Sequence, residues 1–162
     1  RFSGWARAFG ATSTNGAWAM PDTTDNTIRL AQSPMRSATV FNFFRPRYTP
    51  PVTELARRHL VAPELQITDE TSIAGYLSFL AIYADRGWED LQTTYAPEVA
   101  LAHDPQALVA RVALLLAGDA FSAQTAGAIA DAVATLPASR PRDRVRAAIL
   151  LVAATPEYLV QK

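Results

Sequence analysis

The chain predicts an all-α fold, and three observations carry that expectation. Four segments place apolar residues at the i, i+3, i+4, i+7 spacing of a helix face. Helix-start and helix-stop residues, such as Asp104–Pro105 and Gly118, stand at the ends of those segments. No stretch sustains the alternation of a half-buried strand. The expected architecture is an irregular orthogonal helical bundle of four main helices, with short helices and a proline- and aromatic-rich loop, as a single domain over residues 1–162.

Taken in order, Arg1–Ala11 is expected to form a short helix with Phe2, Trp5 and Phe9 on one face and Gly10 near its end. Thr12–Asn26, rich in Thr, Asn, Asp and Gly, reads as a loop pinned to the body by Trp18 and Met20. Thr27–Ala31 reads as a helical turn stopped before Pro34, because a residue preceding proline is pushed out of the α region. Val52–His59 reads as a short helix carrying Leu55 and Leu60 inward and ended by Pro63. The first long helix is expected over about Glu70–Trp88. Its Ile73, Tyr76, Leu77, Leu80 and Tyr83 form the apolar face, Thr68 or Asp69 caps it, and Gly87 stops it. A loop near Pro97–His103 follows. Asp104–Pro105 then starts a helix whose stripe is Leu108, Val112, Leu115 and Leu116. Ser122 caps the next helix, anchored by Ile129, Val133 and Leu136. The last long helix, about Arg142–Ala154, turns Val145, Ile149 and Val152 to one side, and Thr155–Pro156 restarts a terminal turn.

Between the early loops and the helices lies Val40–Pro51, VFNFFRPRYTPP. It packs four aromatics (Phe41, Phe43, Phe44, Tyr48), two arginines (Arg45, Arg47) and three prolines into twelve residues. No period survives that many prolines, so a rigid irregular segment is expected. Asn42 is expected to be buried, its amide bonded to backbone. These six aromatic and arginine side chains are the candidate ligand- or partner-binding residues. Arginines can stack on aromatic faces and still offer a planar fork to a carboxylate.

Composition narrows the function classes. With 162 residues, 49% hydrophobic and 19% charged, the chain is long enough to bury roughly 70% of its unfolded surface. Fifteen basic residues balance fifteen acidic ones, so no net field draws it to nucleic acid. Lys162 is the only lysine; the alanine- and arginine-rich composition fits a GC-rich genome. With no cysteine, disulfides and thiolate chemistry are excluded. The longest apolar runs, Val112–Ala117 and Ala147–Ala154, fall far short of the ~20 residues of a spanning helix, so membrane insertion is not expected. Because the chain opens on Arg1 rather than methionine, it is expected to be a processed product or the tail of a longer protein.

Three pieces, SPMRSATVFNFFRPRYTPP, LVAPELQITDETSIAGY and RVRAAILLVAATPEYLVQ, resemble the C-terminal region of the bacterial domain-of-unknown-function family 1800. Ser33, Pro34, Val40–Phe44, Pro46, Tyr48, Pro50 and Pro51 match the first piece. Ala62, Pro63, Glu64, Gln66, Ile67 and Glu70 match the second, and Pro156–Leu159 and Gln161 the third. The resemblance spans about Ser33–Gln161. It implies a C-terminal portion of a longer, often exported protein, hence a periplasmic or secreted location, with the N-terminal portion of the same parent or another protein as partner. It implies no activity.

Chemistry-bearing residues are few. His59 and His103 are the only possible catalytic bases of a triad, no G-x-S-x-G elbow occurs, and capping or surface roles fit both better. Glu64, Asp69–Glu70 and Glu157 could supply a carboxylate pair, which needs a separation of roughly 5–10 Å. Asp69 has a cap to make, and Glu64 is expected to pair with an arginine of the aromatic segment. Two separated histidines give no metal-ligand spacing, and no cofactor is implied. Arg140, Arg142, Arg144 and Arg146 alternate, but on a helix Arg142 and Arg146 share one face while Arg144 points elsewhere, so a nucleic-acid stripe fits poorly; a partner carboxylate from another segment is expected. The leading reading is a structural or protein-interaction module. The alternatives are part of a hydrolase completed by an N-terminal portion, or a glycan- or polymer-binding module using Phe41–Tyr48.

Overall fold

The computed structural model describes residues 2–159, the side chain of Asp119 excepted. Arg1 of the expected first helix and Gln161 of the closing motif lie outside the described residues. The chain is mostly helical, 53% by residue, with only a minimal two-stranded sheet. It divides into two compact units, Arg1–Met20 with Leu80–Lys162, and Pro21–Phe79.

In the first unit, α1 (Phe2–Ala8) is shorter than expected, but its apolar face is as expected, with Phe2, Trp5 and Phe9 all buried. Phe2 and Trp5 meet Tyr83 edge-on at centroid distances of 4.5 and 5.7 Å, and Tyr83 stacks on Trp88 at 5.6 Å. Phe9 meets Tyr95 at 5.3 Å, and the Trp5 indole donates to the Tyr95 hydroxyl at 2.9 Å. Burial pushes the Tyr95 phenol well above its ordinary pKa.

The helical layer of this unit is α4 (Ala96–Leu101), α5 (Pro105–Ala117), α6 (Ala123–Ala134), α7 (Pro141–Ala153) and α8 (Pro156–Leu159). Helix α5 packs on α6 and α7, and Leu108, Val112, Val133, Val145, Ile149 and Val152 are all sealed from solvent. The start signals behave as expected. The Asp104 carboxylate accepts from the N–H groups of Gln106 and Ala107, and the Ser122 hydroxyl accepts from Thr125 N–H. Gly118, at φ +62°, follows the end of α5.

Two elements depart from expectation. Ala96–Leu101 is a helix rather than a loop, entered through Tyr95 at φ +52° with Pro97 in its first turn. Thr12–Ser13 (β1) pairs antiparallel with Leu91–Gln92 (β2). Two-residue strands are too short for periodicity to reveal. Gly87, at φ +70°, permits that pairing. A Cβ there would sit 2.0 Å from the Leu91 carbonyl oxygen.

The second unit, Pro21–Phe79, is built mainly of turns. It holds α2 (Glu54–Arg57), a 3-10 turn at Pro63–Ile67, and residues 70–79 of α3 (Glu70–Arg86). Thr53 caps α2, and Asp69 and Ser72 cap each other's backbone N–H groups at the start of α3. Where a helical turn was expected at Thr27–Ala31, residues 26–28 form a turn followed by a bend at Arg29. Gly75 lets that turn approach α3, for a Cβ would lie 2.7 Å from the Thr27 carbonyl group. The buried hydrophobic residues here are Ala62, Tyr76 and Phe79. Leu60, expected inward, is exposed.

Candidate functional site

The aromatic segment is irregular, as its prolines require, and it is tied to the LVAPELQI stretch by three hydrogen bonds. The Arg45 N–H donates to the Gln66 side-chain oxygen at 2.6 Å, the Ala62 N–H to the Tyr48 carbonyl at 2.8 Å, and the Thr49 hydroxyl to the Leu60 carbonyl at 2.8 Å. The first two sequence pieces are therefore one structural piece. Gln66, not Glu64, makes the link expected of an acid–arginine pair; Glu64 is exposed.

Within this piece the candidate residues separate. Phe43, Phe44 and Tyr48 are half-buried, whereas Phe41, Arg45 and Arg47 are exposed. Asn42 is exposed rather than buried. Its backbone closes a turn, N–H to the Thr39 carbonyl at 3.1 Å, with φ +65°. Asparagine tolerates that left-handed conformation, so its backbone, not a buried amide, suits it to the position. The turn Thr39–Asn42 lifts Val40 (95% exposed) and Phe41 (60% exposed) at its tip.

Three proline-initiated turns flank it. Pro34–Met35 is closed by Arg36 N–H to the Ser33 carbonyl at 3.3 Å, and Pro46–Arg47 by Tyr48 N–H to the Arg45 carbonyl at 3.1 Å. At Pro51–Val52, the Thr53 hydroxyl returns to the Pro50 carbonyl at 2.7 Å. In each, the residue after proline lies in the left-handed region: Met35 at φ +60°, Arg47 at +62° and Val52 at +60°. Type II turns prefer glycine there, and a β-branched valine is a marked exception. Met35 and Val52 are fully exposed. Sequence reasoning did not single out either residue. The signal that could have found them is the Pro-X pair repeated three times between residues 34 and 52.

Three of the acid/base candidates, Asp69, Glu157 and His103, hold structural hydrogen bonds. The Asp69 carboxylate is spent on Ser72 N–H, and Glu157 accepts from the Thr125 hydroxyl at 2.7 Å. His103 Nδ1 lies 2.9 Å from the Ala100 carbonyl, and His59 is exposed at the end of α2. Among the described residues no group of three or more His, Cys, Asp or Glu could hold a metal ion.

Charged residues that sequence reasoning missed or misjudged sit in the helical unit. Glu98 is buried and paired with Arg111 at 2.6 Å. Arg144, only 7% exposed, donates to the carbonyls of Leu136 at 2.7 Å and Ala102 at 2.9 Å, so its partners are carbonyls near the ends of α6 and α4 rather than a carboxylate. The carboxylate expected from another segment does meet Arg146, which pairs with Asp85 of α3. Asp90 accepts from the Ser13 hydroxyl and from the N–H groups of Trp18 and Ala19, both at 3.0 Å. Asp90 thereby anchors the loop, whereas Trp18 and Met20, expected to pin it, are exposed. The Ser13 hydroxyl, with the two N–H groups, holds the Asp90 carboxyl below its ordinary pKa.

A family model described as "Protein of unknown function (DUF1800)" matches residues 2–160. No curated protein and no solved structure matches the chain.

Proposed function

We propose that this chain, which belongs to the DUF1800 family of proteins of unknown function, is a non-catalytic module that docks a protein surface through the turns of residues 33–53. One observation carries the reading: Met35 and Val52 stand fully exposed on left-handed turn positions, in the same segment as the exposed turn tip of Val40 and Phe41. An L-residue in that conformation costs roughly 1–2 kcal/mol, and exposed apolar side chains gain nothing for the isolated fold. Strain and exposure coinciding on one segment fit a surface completed by a partner. The partner is the N-terminal portion of the same parent chain or a separate protein. Commitment of Asp69, Glu157 and His103 to hydrogen bonds within the fold favours this over a hydrolase reading.

Residence in the periplasm or outside the cell belongs to the same proposal, and fractionation of cells followed by immunoblotting checks it. The docking surface is tested by photo-crosslinking in cells that express the full-length parent, with Phe41→p-benzoylphenylalanine against Leu114→p-benzoylphenylalanine on the exposed face of α5. Protein adducts from position 41 and not from position 114 are expected. If position 41 yields none, the reading fails. Polysaccharide titration of the purified chain separates the glycan alternative, which requires a saturable change in intrinsic fluorescence.

A further inference from the structure

Resting on that docking reading, we infer that the partner presents an acidic protein segment, recognised by Arg45 and Arg47 beside the half-buried rings of Phe43, Phe44 and Tyr48. The charge pattern carries the step. Residues 26–53 hold four arginines and no aspartate or glutamate, although the whole chain is neutral. Two of the four are engaged at Asp22. Arg36 pairs with its carboxylate at 3.2 Å, and Arg29 donates to its backbone carbonyl.

Arg45 and Arg47 are exposed, and neither is ion-paired among the described residues. The contrast with α2 is direct, for there Arg57 and Arg58 are both ion-paired with Glu54. The Pro46–Arg47 turn holds the Arg47 backbone left-handed and exposed, and Arg45 is fixed through its own N–H on Gln66. Two unpaired guanidinium groups on a short, hydrogen-bonded turn suit carboxylates of an extended segment, and the neighbouring apolar surface suits its side-chain stems. Polypeptide is favoured over nucleic acid because this piece also exposes four large apolar side chains, Met35, Val40, Phe41 and Val52, whereas nucleic-acid interfaces are strongly basic.

The test repeats the position-41 crosslink in the full-length parent with Arg45→Glu and Arg47→Glu combined, and separately with wild-type arginines at raised salt. The adduct should fall about fivefold or more in each arm, and mass spectrometry should place the crosslink within a stretch of net negative charge. An adduct unchanged by both arms, or mapping to a neutral or basic stretch, overturns the acidic partner while leaving the docking reading standing. Absence of any adduct before the arginines are changed defeats the docking reading itself. A nuclease-sensitive adduct would show nucleic acid instead, and an adduct between isotopically distinct copies of this chain would show self-association; either overturns the proposal. Should the double variant misfold, the salt arm and the mapped sequence still decide.

Discussion

The two compact units differ in the balance of what they bury, although the helical unit too leaves Trp18, Met20, Ile82, Leu114 and Leu151 exposed. In the helical unit the awkward groups are charged, and the fold takes them inside with partners: Glu98 with Arg111, Arg144 with the carbonyls of Ala102 and Leu136, Asp90 with a hydroxyl and two N–H groups. In Pro21–Phe79 the awkward groups are apolar, and the fold leaves them outside. Seven large hydrophobic residues, Ile28, Met35, Val40, Phe41, Val52, Leu60 and Val61, are exposed there, against Ala62, Tyr76 and Phe79 as its buried ones. Burying a polar group is tolerable once it is hydrogen-bonded, so the first arrangement is self-sufficient. Exposed apolar area is compensated only when something covers it. That imbalance in the second unit is what the docking proposal draws on.

The comparison breaks most sharply at the cores. Ile149→Ala in α7 should destabilise by about 2–5 kcal/mol, read by urea unfolding, because the side chain is wholly buried. Phe41→Ser should change stability by less than about 0.5 kcal/mol, as a surface substitution does. A comparable loss at both positions would erase the distinction between the units. Next is Arg144→Met, which keeps the stem but strips donors from buried carbonyls. A loss of about 1.5–3 kcal/mol is expected in the same assay, and a neutral outcome would mean that water serves those carbonyls equally well.

Smaller effects sharpen the other side. Gly75→Ala should cost about 1–3 kcal/mol, since the new methyl meets the Thr27 backbone and that turn must move. Val52→Gly should stabilise by about 0.5–1 kcal/mol, the relief of left-handed strain offset by glycine's entropy. Calorimetry checks the sign, and destabilisation would remove strain from the account. Acid distinguishes the units least. Asp90 in one and Asp22 and Asp25 in the other are all held below the ordinary carboxylate pKa, chiefly by the hydroxyls of Ser13, Thr24 and Thr27. Their contribution is therefore fully present above the unfolded value of about 4 and is lost as pH falls through the depressed folded values. Protection of the Trp18 and Ala19 amides, measured against their intrinsic exchange rates, should hold at pH 5 and fall only below pH ~4; protection already lost near neutrality would show that Asp90 does not anchor the loop.

Much of the helical unit was legible in the residues. The stripe Val145, Ile149, Val152 and the Asp104–Pro105 start needed only local periodicity and capping chemistry, and both stand where they were expected. Helix α4 was not legible, because a six-residue helix entered through a left-handed Tyr95 ends before two full turns of pattern are complete. The candidate site was half legible. Arg45, Arg47 and the aromatics drew notice as a cluster, but the sequence could not say that Phe41 is lifted outward while Phe43, Phe44 and Tyr48 are half-covered.

By itself the sequence determined the helical class, the cap positions, the irregularity of Val40–Pro51 and the family, since each rests on residue types at short spacing. Tertiary structure alone decided which of those residues face solvent. It joined the aromatic segment to APELQI through Arg45–Gln66 and Tyr48–Ala62, and it turned Arg144 onto carbonyls rather than a carboxylate. The reason is range: periodicity and capping act within a few residues, whereas exposure and partner choice depend on segments brought together from far along the chain.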